Sequence, residues 1–429
     1  MTRTFMPKIS TLEELKALQL EGLKWTVRHA YENSPFYRQR LRKAGINPED
    51  VSSLDDLPRL PFTMADDLRE GYPFPLRAVP FDRIVRIHAS SGTTGKRKVL
   101  CYTQKDIDDW ANMFARCYEM AGLSAEDRVQ IAVGYGLWTA GVGFQLGCER
   151  LGAMAVPVGP GNTEMHCEML VDMQSTVFCA TASMALLMAE EVQRRKLRQQ
   201  IALRKVILGA ERHSQSMDRR IKELLGVEHV FDIPGLTELY GPGTGLDCGK
   251  HEGIHYWADY YILEIIDPET LEPVEPGKSG EMVVTTLCKE GAPLIRYRTR
   301  DLTRLIPKPC SCGCPLPMHD RILGRSDDMF IFRAVNIYPG QIDHILSQIP
   351  EIGSEYQVHL ERREDGRDYM ILKVERRPRY EPGHNQAIAS RVSQDIRKHV
   401  LASAEVVVLD HGSLPRTERK SKRVFDQRG

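Results

Sequence analysis

A segment rich in glycine and hydroxyl groups, HASSGTTGKRKVL at residues 88–100, carries the densest set of groups that could bind a phosphate. Small residues let the backbone approach an anion closely, hydroxyls donate hydrogen bonds, and Lys96 adds a positive charge. The predicted phosphate contacts are Ser90, Ser91, Gly92, Thr93, Thr94, Gly95 and Lys96. The segment is not a Walker motif, because its first glycine is too close to the Gly-Lys pair. A mobile surface loop is the alternative for such a segment taken alone.

A second group of residues has the chemistry of a metal site. The segment KPCSCGCPLP contains three closely spaced cysteines, and LDCGKHEGIHYW upstream adds further ligand types. The candidate ligands are Cys248, His251, His255, Cys310, Cys312 and Cys314. Two short Cys/His segments can supply the four ligands of a tetrahedral structural zinc site. Free thiols are the alternative, although cysteines so close together rarely serve packing alone.

The apolar pattern of the chain predicts the body that must position these segments. VQIAVGYG, AMAVPV, TVFCATA, KVILGA and HVFDIPG are short, apolar and bounded by Gly or Pro, with amphipathic stretches between them. Buried strands that alternate with helices have this pattern, so we predict an α/β body with much parallel sheet. Before it, residues 11–45 have helical spacing of apolar residues, which the segment NSPFY interrupts.

The pattern changes after about residue 253. YYILEIIDPETLEPVEPGKSGEMVVTTL reads as strand, turn and strand, which predicts a more antiparallel, barrel-like part. Further on, a helix at PGQIDHILSQIP, a hairpin with an Asp-Gly turn, a second helix and the strand AEVVVLD predict a small α+β domain. We place the boundary in GRSDD, so that residues 1–326 form a large N-terminal domain and residues 327–429 a small C-terminal domain.

Length and charge restrict the class of protein. The 429 residues exceed the size at which a single core usually stops growing, in agreement with two or more domains. Lys and Arg number 58, as do Asp and Glu, so no overall field attracts nucleic acid or an anionic membrane. The chain has no apolar run of about 18 residues, and its cysteines outside the cluster are scattered, which predicts a cytoplasmic protein without a membrane span. A homodimer is left open.

Motifs along almost the whole chain resemble those of the acyl- and aryl-adenylate-forming enzymes, and specifically the phenylacetate–coenzyme A ligase family. In chain order they are LKWTVRHAYENSPFYRQRL, HASSGTTGK, VGYGLWTAGVG, ERLGAMAVPVGPGNTE, LGAER, DIPGLTELYGPG, RYRTRDLTRL, GRSDDMFIFRAVNIYP and SLPRTERKSKRV. Ordered agreement is far more specific than one short motif. It implies a ligase that uses ATP and magnesium to activate an aryl carboxylic acid as its adenylate. The same enzyme then forms the coenzyme A thioester, with AMP and pyrophosphate as the other products.

The resemblance assigns roles to individual residues. Lys420 would bridge the attacking carboxylate and the α-phosphate, Thr237 would touch the α-phosphate, and Glu238 would help to hold magnesium. Asp301 would accept hydrogen bonds from the ribose. The other predicted nucleotide contacts are Gly209, Ala210, Glu211, Asp232, Ile233 and Arg325. Taken singly, the acids could be surface carboxylates and Lys420 part of a solvated basic tail; the ordered match outweighs those alternatives.

The same resemblance predicts the acid pocket, the hinge and the preferred metal ligands. The predicted acid contacts are Tyr135, Gly136, Trp138, Pro234 and Gly235, with core packing as the alternative. Asp327 aligns with the hinge about which the small domain would rotate, although it could simply cap the next segment. The preferred zinc ligands are Cys248, His255, Cys310 and Cys312, while His251 and Cys314 stay open as substitutes.

Two positions depart from the family pattern. Pro234 stands where most relatives have an aromatic residue that stacks on adenine, and Ala334 stands where they have a glycine near the pantetheine tunnel. Alternatives therefore stay open within adenylate formation: another aryl acid, or an acceptor other than coenzyme A. Two other classes compete. A zinc-stabilised nucleic-acid-binding module is disfavoured by the balanced charge, and a kinase would release ADP rather than AMP.

Overall fold

The computed structural model describes residues 5–90, 96–333, 335–364, 366–415 and 423–428. Residues 91–95 of the phosphate segment, Ala334 and Lys420 lie outside the described residues. What the sequence implies for them stays a prediction.

The chain begins with helices, as the leucine spacing indicates. They are α1 (Leu12–Asn33), α2 (Pro35–Lys43) and α3 (Ala65–Glu70), with short 3₁₀ segments at Pro48–Asp50 and Leu54–Arg59. Thr11 caps α1: its side chain accepts a hydrogen bond from the Glu14 backbone, and the Glu14 carboxylate accepts one from the Thr11 backbone. Pro35 cannot continue α1 but suits the first turn of α2, so the predicted interruption is confirmed.

Strands and helices alternate in the next part of the chain. In order they are β1 (Arg86–Ala89), β2 (Val99–Tyr102), α4 (Gln104–Met120), β3 (Arg128–Ile131), α5 (Ala140–Leu151), β4 (Met154–Val156), α6 (Thr163–Asp172), β5 (Val177–Thr181), α7 (Ala182–Arg194), β6 (Lys205–Gly209), α8 (Gln215–Leu225) and β7 (His229–Ile233). A five-stranded parallel sheet has the order β4-β3-β5-β6-β7. Its strands are the five apolar segments named above, so the predicted parallel α/β body is confirmed.

Short antiparallel strands follow the parallel sheet. They are β8 (Gly235–Leu236), β9 (Gly241–Pro242), β10 (Gly245–Asp247), β11 (Ile254–Tyr256), β12 (Tyr261–Ile266), β13 (Gly280–Thr286), β14 (Tyr297–Thr303), β15 (Leu305–Ile306), β16 (Met318–His319) and β17 (Gly324–Arg325). Two four-stranded antiparallel sheets have the orders β10-β11-β16-β15 and β12-β13-β14-β17. The antiparallel character predicted here is confirmed, and closure into a barrel stays a prediction.

The last part of the described chain, which we call the cap (residues 330–428), has its own core. Its elements are β18 (Phe330–Phe332), β19 (Val335–Ile337), α9 (Pro339–Ser347), β20 (Ile352–Arg362), β21 (Asp368–Arg376), α10 (Asn385–Val400), β22 (Glu405–Leu409) and β23 (Val424–Asp426). A mixed sheet of order β22-β21-β20-β23 packs with α9 and α10 around buried side chains that begin at Phe330. This separate core indicates a small α+β domain. The domain boundary after residue 326 stays a prediction.

The cap contacts the preceding part of the chain, which we call the body, through the loop after β6. The Arg212 guanidinium donates to the Gly340 carbonyl oxygen at 3.0 Å and lies 3.4 Å from the Asp343 carboxylate. Gly340 must lack a side chain, because a Cβ there would overlap the Leu323 carbonyl oxygen. Within the described residues, no helix combines the length and apolar character needed to cross a bilayer.

Candidate active site

Thr237 and Glu238 occupy the tight turn between β8 and β9. The two strands approach so closely that a Cβ on Gly235 would overlap the Gly241 carbonyl oxygen, so a glycine is required at position 235. Thr237 Oγ1 lies 3.2 Å from Thr139 Oγ1, and both residues are buried. The turn therefore presents a hydroxyl and a carboxylate side by side, next to the start of α5.

The carboxylate of Glu238 is buried but ionised. It contacts the Lys98 ammonium group, and the Tyr297 hydroxyl donates to it at 3.2 Å. Burial by itself would raise the pKa of Glu238, but Lys98 outweighs that effect and holds the pKa below its usual value. A buried carboxylate that keeps its charge is a suitable oxygen ligand for magnesium.

The phosphate segment connects β1 and β2, which pair antiparallel, and its described residues end at Ser90 and resume at Lys96. The Ser90 backbone donates to the Lys98 carbonyl oxygen at 3.1 Å, which extends the pairing of this phosphate hairpin. Ser90 Oγ is buried and has no hydrogen-bond partner among the described residues, so it can serve a ligand. Lys96 is exposed, with Nζ 5.4 Å from the centre of the Tyr72 ring. The lysine that reaches Glu238 is Lys98, which sequence reasoning did not single out.

The predicted nucleotide contacts on β6 and β7 lie at one edge of the parallel sheet. Gly209 pairs with Ile233, and Leu208 with Asp232. The carboxyl ends of adjacent parallel strands form the edge where ligands usually bind in such sheets. Glu211 accepts a hydrogen bond from the Ser183 backbone at the start of α7. Ala210, between these residues, has a φ of 71° and is exposed.

Asp301 and Asp327 are joined through one arginine. Arg325 on β17 pairs with Asp301 on β14, and its Nη1 donates to Asp301 Oδ1 at 2.9 Å. The same guanidinium donates through Nε and Nη2 to Asp327, at 2.8 and 2.9 Å. The structure thus links the residue predicted to hold ribose with the residue predicted as the hinge.

The predicted acid contacts lie beside the turn between β8 and β9. Tyr135 covers Gly141 of α5, where a Cβ would come within 2.6 Å of its ring, and Trp138 lies against Gly134. Burial raises the pKa of Tyr135 to about 12, so its hydroxyl stays neutral. The Leu137 carbonyl oxygen accepts from the Ala89 backbone at 2.8 Å, which ties this segment to the phosphate hairpin. Gly136, Pro234 and Gly235 are at least partly exposed, as acid contacts would need.

The four preferred metal ligands converge. One ligand atom from each of Cys248, His255, Cys310 and Cys312 lies within 4.8 Å of the others. His255 Nδ1 lies 3.0 Å from the Leu316 carbonyl oxygen, so Nδ1 carries the hydrogen and Nε2 faces Cys312 Sγ at 3.3 Å.

Three thiols and one imidazole are the donor types that hold structural zinc in many proteins. The Cys310 and Cys312 sulfurs also accept hydrogen bonds from the backbone N–H groups of Cys312 and Cys314. His251 and Cys314 do not belong to the converging group within the described residues. His251 instead lies 2.6 Å from the Asp247 carboxylate.

A cluster of buried and partly buried charges lies behind the nucleotide edge, and the sequence did not reveal it. His213 Nδ1 lies 2.6 Å from Asp218, and its Nε2 lies 3.6 Å from Asp232. Arg321 donates to Asp218 at 2.7 Å and approaches Asp232 and Asp247 at 3.9 and 3.7 Å. Burial alone would lower the pKa of His213, but the two aspartates raise it to about 10. The cluster ties α8, β7 and β10 to the strand region before the cap.

Comparison with known proteins covers nearly all of these elements. Residues 51–288 match the family described as AMP-binding enzyme, and residues 334–428 match the AMP-binding enzyme C-terminal domain. The phenylacetate-coenzyme A ligase of Escherichia coli (strain K12) is 41% identical over 435 residues, which cover 100% of this chain and 98% of that protein. The chain belongs to the AMP-binding enzymes, as a homologue of the phenylacetate-coenzyme A ligases. The family predicted from the motifs is confirmed.

This AMP-binding enzyme also resembles a solved ligase in more than one state. Against 2-hydroxyisobutyryl-CoA ligase in the postadenylation state with R3-HIB-AMP, the TM-score is 0.89 at 27% identity, and 100% of this chain and 95% of that chain are covered. Against the same ligase in the thioesterification state with 2-HIB-AMP and CoA, it is 0.71 at 28% identity, with 97% and 91% covered. Body and cap are therefore arranged more like those of the postadenylation structure.

Replacing His213 by glutamine should destabilise the protein by about 2 kcal/mol at pH 7, because the substitution removes one of the two cations that, among the described residues, compensate Asp218 and Asp232 and leaves only Arg321. The raised pKa of His213, about 10 against an ordinary 6.5, means that its stabilisation is complete below pH 6.5 and is lost as the pH rises through 10. The difference in free energy of unfolding between the two proteins should therefore shrink from pH 7 to pH 10 in urea titrations.

His166→Gln is the matched control, since burial lowers the pKa of His166 and keeps it neutral across this range. Its effect on unfolding should be the same at both pH values. Parallel behaviour of the two variants would contradict the assignment of a charged His213.

Proposed function

We propose that this enzyme is an AMP-forming acid–thiol ligase that activates phenylacetate with magnesium-ATP and transfers the acyl group to coenzyme A. The observation that carries the proposal is the buried, ionised Glu238 beside Thr237, where the phosphate hairpin meets the segment that contains Tyr135. Full-length homology to the phenylacetate-coenzyme A ligase of E. coli supports the choice of acid and acceptor.

Activation is needed because a carboxylate carries a poor leaving group. Attack of the carboxylate oxygen on the α-phosphorus of ATP forms a mixed anhydride and releases pyrophosphate. The thiol of coenzyme A then attacks the acyl carbon, and AMP departs. Glu238 would hold magnesium, which neutralises phosphate charge when it is bound, Thr237 contacts the α-phosphate, and Lys420 offsets the charge that develops there.

The nucleotide lies along the carboxyl edge of β6 and β7. Asp301 accepts hydrogen bonds from the ribose hydroxyls, and Arg325 holds that carboxylate in place from the neighbouring strand. Gly209, Ala210 and Glu211 contact the nucleotide from the end of β6, and Asp232 and Ile233 contact it from β7, the neighbouring strand. The phosphates reach the part of the phosphate hairpin that begins at Ser90.

The phenyl ring lies between Tyr135, Trp138 and the backbone of Gly136, Pro234 and Gly235. Tyr135 and Trp138 are aromatic walls for a flat apolar ring, and the glycines leave space for it. The Tyr135 hydroxyl is buried without a partner among the described residues, so it can turn toward a bound acid.

The two steps use two placements of the cap, which rotates about Asp327. Resemblance to the postadenylation structure, and the contacts of Arg212 with Gly340 and Asp343, support the present placement as the one used before thioester formation. Rotation breaks these contacts and opens a path for the pantetheine arm. The two domains that move relative to each other are residues 1–326 and residues 327–429. A cytoplasmic location and a homodimer stay predictions.

Zinc bound by Cys248, His255, Cys310 and Cys312 has a structural role in this proposal. The four ligands come from the end of β10, from β11 and from the loop between β15 and β16. Bound zinc would cross-link these segments next to the charge cluster of Asp247 and Arg321. With four protein ligands, the ion has no open position for catalysis.

A panel of acids tests the function directly. Purified enzyme with magnesium-ATP and phenylacetate should release pyrophosphate and AMP, and should form phenylacetyl-coenzyme A only when coenzyme A is present. Chromatography of nucleotides and thioesters measures both products. ADP instead of AMP would indicate a kinase, and the absence of AMP with every aryl acid would refute adenylation. Pyrophosphate release without any thioester would show a different acceptor.

Lys420→Ala should reduce adenylation by at least about 100-fold, because it removes a cation from the transition state. Thioester formation from a supplied acyl-adenylate should be nearly unchanged, since that step does not use this lysine. Lys422→Ala in the same basic segment is the control and should leave both steps intact. Equal losses in the two steps after Lys420→Ala would count against two placements of the cap.

Elemental analysis of purified protein should find about one zinc per chain, since four converging ligands form one site. Cys310→Ser should lose the metal and lower the melting temperature, because the cross-link between the strands is lost. Cys288→Ser, outside the cluster, should retain zinc. A well-folded wild-type protein that contains no zinc after purification without chelators would end this part of the proposal.

A further inference from the structure

Lys289 is a fully buried lysine directly behind the turn that carries Thr237 and Glu238. It lies in the loop after β13, and its Nζ donates to the Glu238 backbone carbonyl oxygen at 2.8 Å. The ammonium group is enclosed by two aromatic rings, with Nζ 4.8 Å from the centre of Tyr102 and 5.1 Å from that of Tyr240. Such cation–π contacts partly replace the lost hydration of the charge.

Tyr102 holds the same turn through its hydroxyl group. That hydroxyl lies 2.9 Å from the Thr237 carbonyl oxygen and 3.0 Å from the Tyr240 carbonyl oxygen. Together with the bond from Lys289, three backbone carbonyl oxygens of the turn lie within hydrogen-bond distance of side chains from outside it. The geometry of the turn therefore depends on these two donors.

The loop that carries Lys289 is itself fixed. The Asp106 carboxylate, at the start of α4, accepts from the backbone N–H groups of Glu290 and Gly291 at 2.7 and 2.8 Å. It also accepts from the Thr103 backbone at 3.0 Å. Lys289 thus projects from an anchored loop, which is what a group that positions another segment requires.

A buried ammonium group is costly to maintain, and an apolar side chain in its place often stabilises a fold. Burial lowers the pKa of Lys289 to about 8, although Asp106 and Glu238 act in the opposite direction. The contribution that an apolar side chain could not make here is the hydrogen bond to the Glu238 carbonyl oxygen.

We propose that Lys289 is a positioning residue for adenylation. With Tyr102, it fixes the backbone of residues 237–240 and so directs the Thr237 hydroxyl and the Glu238 carboxylate toward the α-phosphate and magnesium. This inference rests on the function proposed above. It concerns a residue that touches neither nucleotide nor acid and that acts only through the turn.

Lys289→Met tests the proposal, since methionine preserves length without the donor or the charge. Adenylation, measured by pyrophosphate release against magnesium-ATP, should show a kcat reduced by roughly 10- to 100-fold, as expected for loss of a charged hydrogen bond. Thioester formation from a supplied adenylate should change by less than about 3-fold, and the melting temperature should not fall. Lys105→Met is the matched control, because Lys105 also donates to a backbone carbonyl, that of Cys288, but at the surface.

The split between KM and kcat separates positioning from packing. In Lys289→Met, kcat for adenylation should fall while the KM for magnesium-ATP changes by less than about 3-fold, because the variant alters the turn and leaves the nucleotide edge on β6 and β7 intact. A loss confined to KM, with kcat unchanged, would overturn the proposal.

Tyr102→Phe is a second test of the turn, which can be used if Lys289→Met does not fold. It removes the donor to the turn but keeps the ring beside Lys289, and kcat for adenylation should fall about 10-fold without a matching loss of thioester formation. Unchanged adenylation in a folded variant, or equal loss of both steps, refutes the role of the turn. If the wild type makes no AMP from any aryl acid, it is the proposed function that fails instead.

Discussion

Keeping one carboxylate ionised away from water is the constraint on which the candidate site depends. Burial favours the protonated form of Glu238, and the ammonium group of Lys98 reverses that preference, with a further hydrogen bond from Tyr297. These partners come from the base of the phosphate hairpin and from β14. Two separate parts of the body therefore meet at a single side chain, and a displacement of either one changes the charge available for a cation.

The charges of the site are compensated locally, within a chain of zero net charge. Lys98 contacts the Glu238 carboxylate, while Lys289 donates to the Glu238 backbone and has Asp106 as its acidic neighbour. Behind the nucleotide edge, Arg321 and its acidic neighbours form a second compensated group. Neither group is a surface ion pair, so salt screens them weakly.

The fold was largely predictable because its strands are apolar runs bounded by turn residues. The five parallel strands, α9, α10 and the β20–β21 hairpin all lie where the pattern placed them. The short spacing of the cysteines indicated a metal site, and the family resemblance selected the four ligands that converge in the structure. By contrast, the partners of Glu238 are 51 to 140 residues away in sequence, and no local pattern marks them.

Two lysines around the turn were missed by the sequence reasoning. Lys96 was predicted as a phosphate contact, and that stays a prediction, whereas Lys98, which reaches the Glu238 carboxylate, was not singled out because its partner lies 140 residues away in sequence. Lys289 lies in an unremarkable segment, TTLCKEG, and lysine is among the least buried residue types. Only the packing of two tyrosine rings around it reveals its position.

The missing side chain at Gly340 sets how closely cap and body can meet. Any larger residue there would press on the Leu323 carbonyl oxygen and act as a wedge, while the interiors of both domains stayed intact. Under the proposed rotation of the cap, a wedge that penalises one docked geometry would change the occupancy of both placements. A substitution at Gly340 would then alter the rates of both proposed steps through the docking of the two domains.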